Sequence, residues 1–292
     1  MNAILECTNV NKSYGKTDAI RHLDLKLEEN TVYGLLGRNG AGKTTLLNMI
    51  TGGIFPDSGS IQVGGTILKR GDSPKDTCYI REKNFHFGGA KVIEILELAS
   101  AFYPNWDWTF AHRLVQTFKL NPNKKMRQLS RGMESLVGNI VGLASRAPLT
   151  IFDEPVLGLD VLMREKFYSV LMEDYAENPR TILLSTHLID EIAKVVERVY
   201  IIEAGSIALQ DDVDHIRSQS YMLTGSNEAI DTFTSGKRVI YKESYGKSCL
   251  AAVYDTIGDA ERLQADKLGI SVDGLPLQKF FAYFIEGGER VE

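Results

Sequence analysis

Residues 37–44 carry the residue types and the spacing of a phosphate-binding loop. The segment Gly37-Arg38-Asn39-Gly40-Ala41-Gly42-Lys43-Thr44 matches the pattern G-x-x-x-x-G-K-[ST]. Its glycines let successive backbone N–H groups turn toward phosphate oxygens, and a helix that begins there adds the positive end of its dipole. Lys43 is placed to reach the β- and γ-phosphates of a nucleotide, and the Thr44 hydroxyl is placed to hold Mg²⁺. The expected nucleotide contacts are Gly37, Asn39, Gly40, Ala41, Gly42, Lys43, Thr44 and Thr45.

The elements on either side of this loop are the ones that such a loop needs. The apolar run Val32-Tyr33-Gly34-Leu35-Leu36 predicts a buried strand before it. Residues 45–50 predict a helix after it, ended by Gly52-Gly53. A strand, a glycine-rich turn and a helix in register favour a phosphate site over a turn that contains Lys-Thr by chance.

A second group of polar residues follows a later hydrophobic strand. Residues 149–152 (Leu-Thr-Ile-Phe) end in Asp153 and Glu154. In enzymes with such a loop, an Asp at this strand end holds Mg²⁺, and a neighbouring Glu can accept a proton from attacking water. Paired acids at a strand end also occur as a solvated turn, but their company with the phosphate loop favours the functional interpretation.

Composition excludes several classes of protein. The chain has 292 residues, of which 43% are hydrophobic and 24% charged, as in an ordinary globular protein. No apolar run reaches the length of a membrane span, and no secretory signal is visible at the N-terminus. Three scattered cysteines predict reduced thiols rather than a disulfide framework. The net charge of −5 argues against nucleic acid as a partner.

The order of predicted elements indicates an α/β fold with a mainly parallel sheet. Residues 3–68 are β-rich, residues 90–146 predict helices, and strands then alternate with helices. Such alternation predicts a parallel sheet that is covered on both faces. We expect an N-terminal antiparallel β subdomain, an inserted helical subdomain, and two domains, 1–217 and 218–292. The second is predicted to be a small α+β unit with a hairpin at Tyr245-Gly246.

Further short motifs resemble those of ABC-type ATPases. Leu129-Ser130-Arg131-Gly132-Met133 resembles their L-S-G-G-Q signature, and Leu157-Gly158-Leu159-Asp160 resembles their D-loop. Ser185-Thr186-His187 is similar to the segment that carries their switch histidine, and Tyr14 matches the aromatic residue that stacks on adenine. Each match is short, but their order and spacing agree over residues 3–215.

The resemblance implies an ATPase that uses ATP and Mg²⁺. It makes Lys43, Glu154 and His187 the catalytic residues, with His187 contacting the γ-phosphate and orienting the water. It implies that Ser130 and Gly132 contact the γ-phosphate of the ATP bound by a second subunit. The two subunits would form a homodimer or a heterodimer. Two alternatives stay open: Tyr14 as an ordinary loop aromatic and His187 as a core histidine. The implied metal ligands are Thr44, Asp153 and Glu82.

The sequence departs from this family pattern in four places. Arg131 and Met133 replace Gly and Gln in the signature, and Val156 replaces the Ser or Thr before the D-loop. Glu82 stands in the position of the Q-loop glutamine. A carboxylate there can bind the metal, but the γ-phosphate would repel it.

The basic residue in the signature resembles the single-domain subunits of drug, lantibiotic and bacitracin exporters. We therefore expect an ATP-binding and hydrolysing subunit that powers a separate transmembrane permease, on the inner face of the cell membrane. We expect Phe85 or Phe87, and in addition Trp106, to contact that permease, with packing inside the helical subdomain as the alternative. Two alternative functions stay open. One is a soluble ABC protein that acts on ribosomes or DNA, and the other is a regulatory module with little turnover.

Overall fold

The computed structural model describes residues 2–81, 88–188 and 192–287. Its residues group into two compact units. The first contains Met1–His187 and Tyr200–Leu209, and the second contains Leu188–Val199 and Gln210–Glu292. The division into domains 1–217 and 218–292 stays a prediction.

The predicted antiparallel subdomain at the start of the chain is present. It contains β1 (Ala3–Tyr14), β2 (Thr17–Glu28), β4 (Ser58–Val63) and β5 (Thr66–Ile67). The spatial order is β2-β1-β4-β5, and the pairs β1–β2, β1–β4 and β4–β5 are all antiparallel. Leu5, Leu23 and Leu27 are fully buried beneath this sheet, because alternate residues of each strand face the same side.

A second sheet positions the candidate active site. Its strands are β3 (Val32–Leu36), β6 (Thr77–Ile80), β7 (Leu149–Asp153), β8 (Thr181–Thr186), β9 (Arg198–Glu203) and β10 (Ser206–Asp212). Their order is β10-β9-β3-β8-β7-β6. The pairs β3–β8, β7–β8 and β6–β7 are parallel, so the carboxyl ends of these strands meet at one edge. The predicted parallel sheet is confirmed.

The described helices of the first unit lie where the sequence predicted helices. They are α1 (Lys43–Ile50), α2 (Val92–Ser100), α3 (Trp108–Thr117), α4 (Arg131–Ala144) and α5 (Val161–Glu177). Asp107 caps α3 by accepting a hydrogen bond from the Phe110 amide at 2.8 Å. The helices α2, α3 and α4 form the expected helical subdomain, in which α4 packs on both α2 and α3.

The two faces of the parallel sheet have different neighbours. Tyr33, Ile151 and Leu183 share one buried cluster with Leu46 and Leu47 of α1. The opposite face carries Phe152, which packs edge-on against Phe167 of α5 at 5.7 Å. Since side chains alternate along a strand, Asp153 and Ser185 face α1, whereas residue 186 faces the other side.

The second unit is the small α+β structure that the sequence predicted. Its sheet has the order β12-β13-β11-β14, formed by β11 (Ser220–Ser226), β12 (Val239–Tyr245), β13 (Ser248–Tyr254) and β14 (Ser271–Gly274). The hairpin at Tyr245-Gly246 is confirmed, with Tyr245 opposite Ser248. The helices of this unit are α6 (Val213–Gln219), α7 (Asn227–Thr234), α8 (Asp259–Lys267) and α9 (Leu277–Gly287). Within the described ranges, no helix has the length and apolarity that crossing a membrane requires.

Candidate active site

The phosphate loop and the acidic strand end face one cavity of about 420 Å³. The loop joins β3 to α1, and the two acids follow β7 at the same edge of the sheet. The residues that line the cavity are Ala19, Asn39, Gly40, Gly42, Lys43, Thr44, Thr45, Asp153, Glu154, Leu157 and His187. Residues separated by more than 100 positions are thereby brought to one site.

Two loop glycines are required by the packing around them. Gly42 has φ +113°, a conformation that residues with a side chain rarely adopt. A Cβ at Gly42 would also lie 2.7 Å from the carbonyl oxygen of Ala19. At Gly37 a Cβ would lie 2.4 Å from the carbonyl oxygen of Ile202. The loop is therefore pressed against β2 and β9, which fixes the direction of its N–H groups.

Lys43 lies inside the loop that carries it. Its ammonium group donates to the carbonyl oxygens of Gly37 at 2.6 Å and Arg38 at 3.1 Å. Burial lowers the pKa of Lys43, while the carboxylates of Glu154 and Asp153 act in the opposite direction. A partly desolvated cation beside two acids is suited to bind phosphate, because an added anion would compensate for its lost hydration.

Asp153 is held by three hydroxyl groups. Its Oδ1 accepts from Ser185 Oγ at 2.9 Å. Its Oδ2 accepts from Thr44 Oγ1 at 3.4 Å and from Tyr79 Oη at 3.3 Å. Burial raises the pKa of Asp153, the Ser185 hydroxyl lowers it, and the charge of Glu154 raises it again. A cation would therefore stabilise the ionised form of this buried carboxylate.

Glu154 is held in a strained backbone conformation. Its φ is +53°, in the left-handed region, and its N–H donates to the Ser185 carbonyl oxygen at 2.8 Å. Oε2 accepts from Thr186 Oγ1 at 2.9 Å, and Oε1 accepts from the backbone N–H of His187 at 3.1 Å. The side chain is 12% exposed. These bonds fix the carboxylate, while lone pairs remain for a water molecule.

His187 contacts Glu154 directly. Its Nδ1 lies 2.7 Å from Oε1 of Glu154, and the imidazole is 40% exposed. This contact fixes the orientation of the imidazole relative to the carboxylate. The alternative of a core histidine does not fit this exposure.

The signature segment begins helix α4. Ser130 caps the helix, since its Oγ accepts from the Met133 amide at 3.3 Å. Gly132 packs against the D-loop, because a Cβ there would lie 2.6 Å from the carbonyl oxygen of Gly158. Ser135 Oγ also donates to the carbonyl oxygen of Leu157 at 3.4 Å. The start of α4 and the loop after Glu154 are thus in direct contact.

Several predicted residues lie elsewhere or outside the described residues. Among the described residues, Tyr14, Ser130 and Gly132 are not part of the cavity lining, and Gly37 and Ala41 support the loop without facing the cavity. Tyr14 is 52% exposed, with Lys12 Nζ 5.6 Å from its ring centroid. The predicted metal ligand Glu82 lies outside the described residues, as do the predicted permease contacts Phe85 and Phe87.

The tryptophans of the predicted permease surface pack on their neighbours. The rings of Trp106 and Trp108 are 5.5 Å apart in an edge-on arrangement, and Trp108 stacks on His112 at the same distance. This packing favours the alternative, in which both rings stabilise the helical subdomain.

Three residues that the structure places at the acids had no role assigned to them from the sequence. Ser185 and Thr186 hold Asp153 and Glu154 from β8, and Tyr79 holds Asp153 from β6. Ser185 and Thr186 were visible beside His187, but nothing in their order indicated which acid each one binds. Only the register of three parallel strands supplies that information.

Comparisons with known proteins identify the family. The profile of the ABC transporter family matches residues 20–157. The putative ABC transporter ATP-binding protein AlbC of Bacillus subtilis is 35% identical over 208 residues, which are 66% of this chain and 84% of that protein. The bacitracin transport ATP-binding protein BcrA of Bacillus licheniformis is 26% identical, and the alignment covers 99% of each chain.

A solved structure gives the same result. The ATP-binding subunit of an ABC transporter superimposes with a TM-score of 0.66 at 27% identity, over 74% of this chain and 92% of that one. The fold and the site define a P-loop ATPase. The chain belongs to the ABC transporter family, as an ATP-binding subunit.

Proposed function

We propose that this chain hydrolyses ATP with Mg²⁺, pairs with a second ATP-binding subunit, and powers a separate exporter permease on the inner face of the cell membrane. The observation that carries the proposal is the joint presence of Lys43, Asp153, Glu154 and His187 around one cavity. Membership of the family indicates that the nucleotide is ATP. The side chains of the cavity indicate which residues bind it and which take part in hydrolysis.

The residues present fit Mg²⁺ that is shared with a nucleotide. The described residues contain no cluster of three or more His, Cys, Asp or Glu side chains that would hold a metal without help. Mg²⁺ does not need such a cluster, because it is commonly held by one or two carboxylates together with substrate phosphates. Thr44 and Asp153 would hold it, and the bound ion would neutralise charge on the β- and γ-phosphates.

The hydrolytic step follows from the arrangement around Glu154. Lys43 would leave the carbonyl oxygens of Gly37 and Arg38 and donate to phosphate oxygens instead. Glu154, held by Thr186 and His187, would accept a proton from the water whose oxygen bonds to the γ-phosphorus. The bond between that phosphorus and the β,γ-bridging oxygen would break, so that ADP and phosphate leave. Since these contacts already orient the carboxylate, little reorganisation is needed when the water is activated.

Exposed apolar side chains support pairing with a second subunit at the signature. Met133 follows Gly132 in the chain, and Val161 and Leu162 come shortly after Gly158, which Gly132 contacts; the three side chains are 38%, 64% and 75% exposed. Large apolar side chains that are exposed together mark surfaces that another molecule covers. A second ATP-binding subunit placed head to tail would cover these side chains. Ser130 of this chain would then face the ATP that the second subunit binds.

Export is proposed from the relatives and the signature. BcrA, a bacitracin transport ATP-binding protein, aligns along almost the whole chain, including the second unit. A permease encoded beside this chain would select the transported compound.

Two measurements test the proposal. Purified protein given ATP and Mg²⁺ should release phosphate, and a membrane protein encoded next to it should co-purify with it. Phosphate release combined with a failure of any membrane protein to co-purify would favour a non-transport ABC protein. Nucleotide binding without phosphate release, with the permease present, would favour the regulatory module.

A further inference from the structure

Tyr79 occupies a place that the sheet register dictates. On β6 it lies beside Ile151 of β7, and both side chains enter the buried cluster under α1. Asp153 is two residues further along β7, so its side chain emerges on the same face of the sheet. The phenol of Tyr79 spans this diagonal, and its Oη reaches 3.3 Å from Asp153 Oδ2.

The ring of Tyr79 is fixed from two sides. One side packs against the buried cluster, and the guanidinium carbon of Arg81 lies 5.0 Å from the ring centroid. A ring between a packed core and a cation has little rotamer freedom. The position of the hydroxyl is therefore set before any ligand arrives.

The three hydroxyls around Asp153 do not have the same task. Thr44 belongs to the phosphate loop, and its oxygen is the proposed metal ligand. Ser185 and Tyr79 lie on strands to either side of β7 and hold opposite oxygens of the carboxylate. Together they fix the plane of the carboxylate from outside the metal's own ligand set.

We propose that Tyr79 is a positioning residue for the metal, which acts by orienting Asp153. The proposal rests on the function proposed above, because it presupposes that Asp153 binds Mg²⁺ together with ATP. Groups that hold a metal ligand in place typically contribute about 10- to 100-fold to metal affinity or activity. A single hydrogen bond at 3.3 Å is expected at the lower end of that range, about tenfold.

The test compares nucleotide affinity with and without metal. Adenylyl imidodiphosphate is titrated into wild type and Tyr79→Phe, once with Mg²⁺ and once with EDTA. The ratio of the two dissociation constants reports the contribution of the metal and needs no turnover. We expect this ratio to fall about tenfold in Tyr79→Phe, with affinity in EDTA unchanged.

Tyr33→Phe is the matched control. Tyr33 is a buried tyrosine on β3 of the same sheet, and its hydroxyl accepts from the Glu28 amide at 2.8 Å, away from Asp153. It should lower the melting temperature without changing the ratio. A double-mutant cycle with Asp153→Ala completes the test, because Tyr79→Phe should have no further effect once its partner is absent.

The outcomes separate this inference from the proposed function. An unchanged ratio in Tyr79→Phe overturns the inference alone, as does an equal loss of affinity in Mg²⁺ and in EDTA. An undiminished effect of Tyr79→Phe in the Asp153→Ala background also overturns it, because Tyr79 would then act elsewhere. Wild type without any metal-dependent nucleotide binding overturns the proposed function, and this inference with it.

Discussion

The imidazole Nδ1 of His187 lies 2.7 Å from Oε1 of Glu154, at the ends of two neighbouring parallel strands. The same oxygen also accepts the backbone N–H of His187. Both contacts come from one residue, so the ring and the carboxylate must move together. A change at either residue therefore alters the orientation of the other.

Replacing Glu154 with Gln should separate ATP binding from hydrolysis. The amide keeps the size of the side chain but cannot accept a proton from water. We expect phosphate release to fall about 10²- to 10⁴-fold, with ATP affinity retained and paired subunits accumulating. Glu165→Gln, on the exposed side of α5, is the control and should hydrolyse ATP normally. Turnover like wild type in Glu154→Gln would remove this residue from the mechanism.

Thr186→Val should show what the orientation of Glu154 contributes. The variant keeps the shape of a fully buried side chain but removes the donor to Oε2. We expect the rate of phosphate release at saturating ATP to fall about tenfold, since one charge-assisted hydrogen bond is lost. Thr186→Ser retains the hydroxyl and should restore most of the rate. Equal rates for the Val and Ser variants would contradict this role.

Lys43→Ala should abolish the response of the protein to nucleotide. In wild type, ATP that binds the folded state raises the melting temperature, and the rise grows with the logarithm of its affinity at a fixed ATP concentration. We expect this rise to disappear in the variant, together with hydrolysis, because the cation for the β- and γ-phosphates is gone. Lys16→Ala, at an exposed position, serves as the control and should keep the full rise. A retained rise in Lys43→Ala would show that phosphate binding does not depend on this lysine.

Leu162→Glu should weaken pairing of the subunits. Leu162 is 75% exposed at the start of α5, and a charge there would be buried on pairing without a partner. In the Glu154→Gln background, we expect the ATP-dependent dimer seen by size exclusion to be lost, while ATP affinity of the monomer persists. Leu263→Glu, 63% exposed on α8, is the matched control. A dimer of undiminished stability in Leu162→Glu would place the interface elsewhere.

The sequence allowed prediction of those parts of the site that are local in the chain. The loop 37–44 and the acids 153 and 154 depend only on neighbouring residues, so the motif of the loop and the apolar run before each segment were enough to place them. The hairpin at Tyr245-Gly246 was predictable for the same reason.

Contacts between strands could not be predicted in this way. The hydrogen bonds of Asp153 with Ser185 and Tyr79 depend on the register of β6, β7 and β8, which no single segment encodes. The left-handed backbone of Glu154 was also hidden, since Glu rarely adopts it and the strain is compensated by surrounding contacts. The packing of Trp106 on Trp108 required the positions of both side chains in space.

The contact of Gly132 with the carbonyl of Gly158 has a thermodynamic consequence for a pair of subunits. In a head-to-tail pair, Gly158 follows the acids of one ATP site, and Gly132 lies at the start of α4, which faces the second ATP site. Because no side chain separates the two glycines, a shift of Gly158 displaces Gly132. The two sites would then be coupled, and occupation of either would change the affinity of the other by the same factor. ATP would bind to such a pair cooperatively rather than as two independent events.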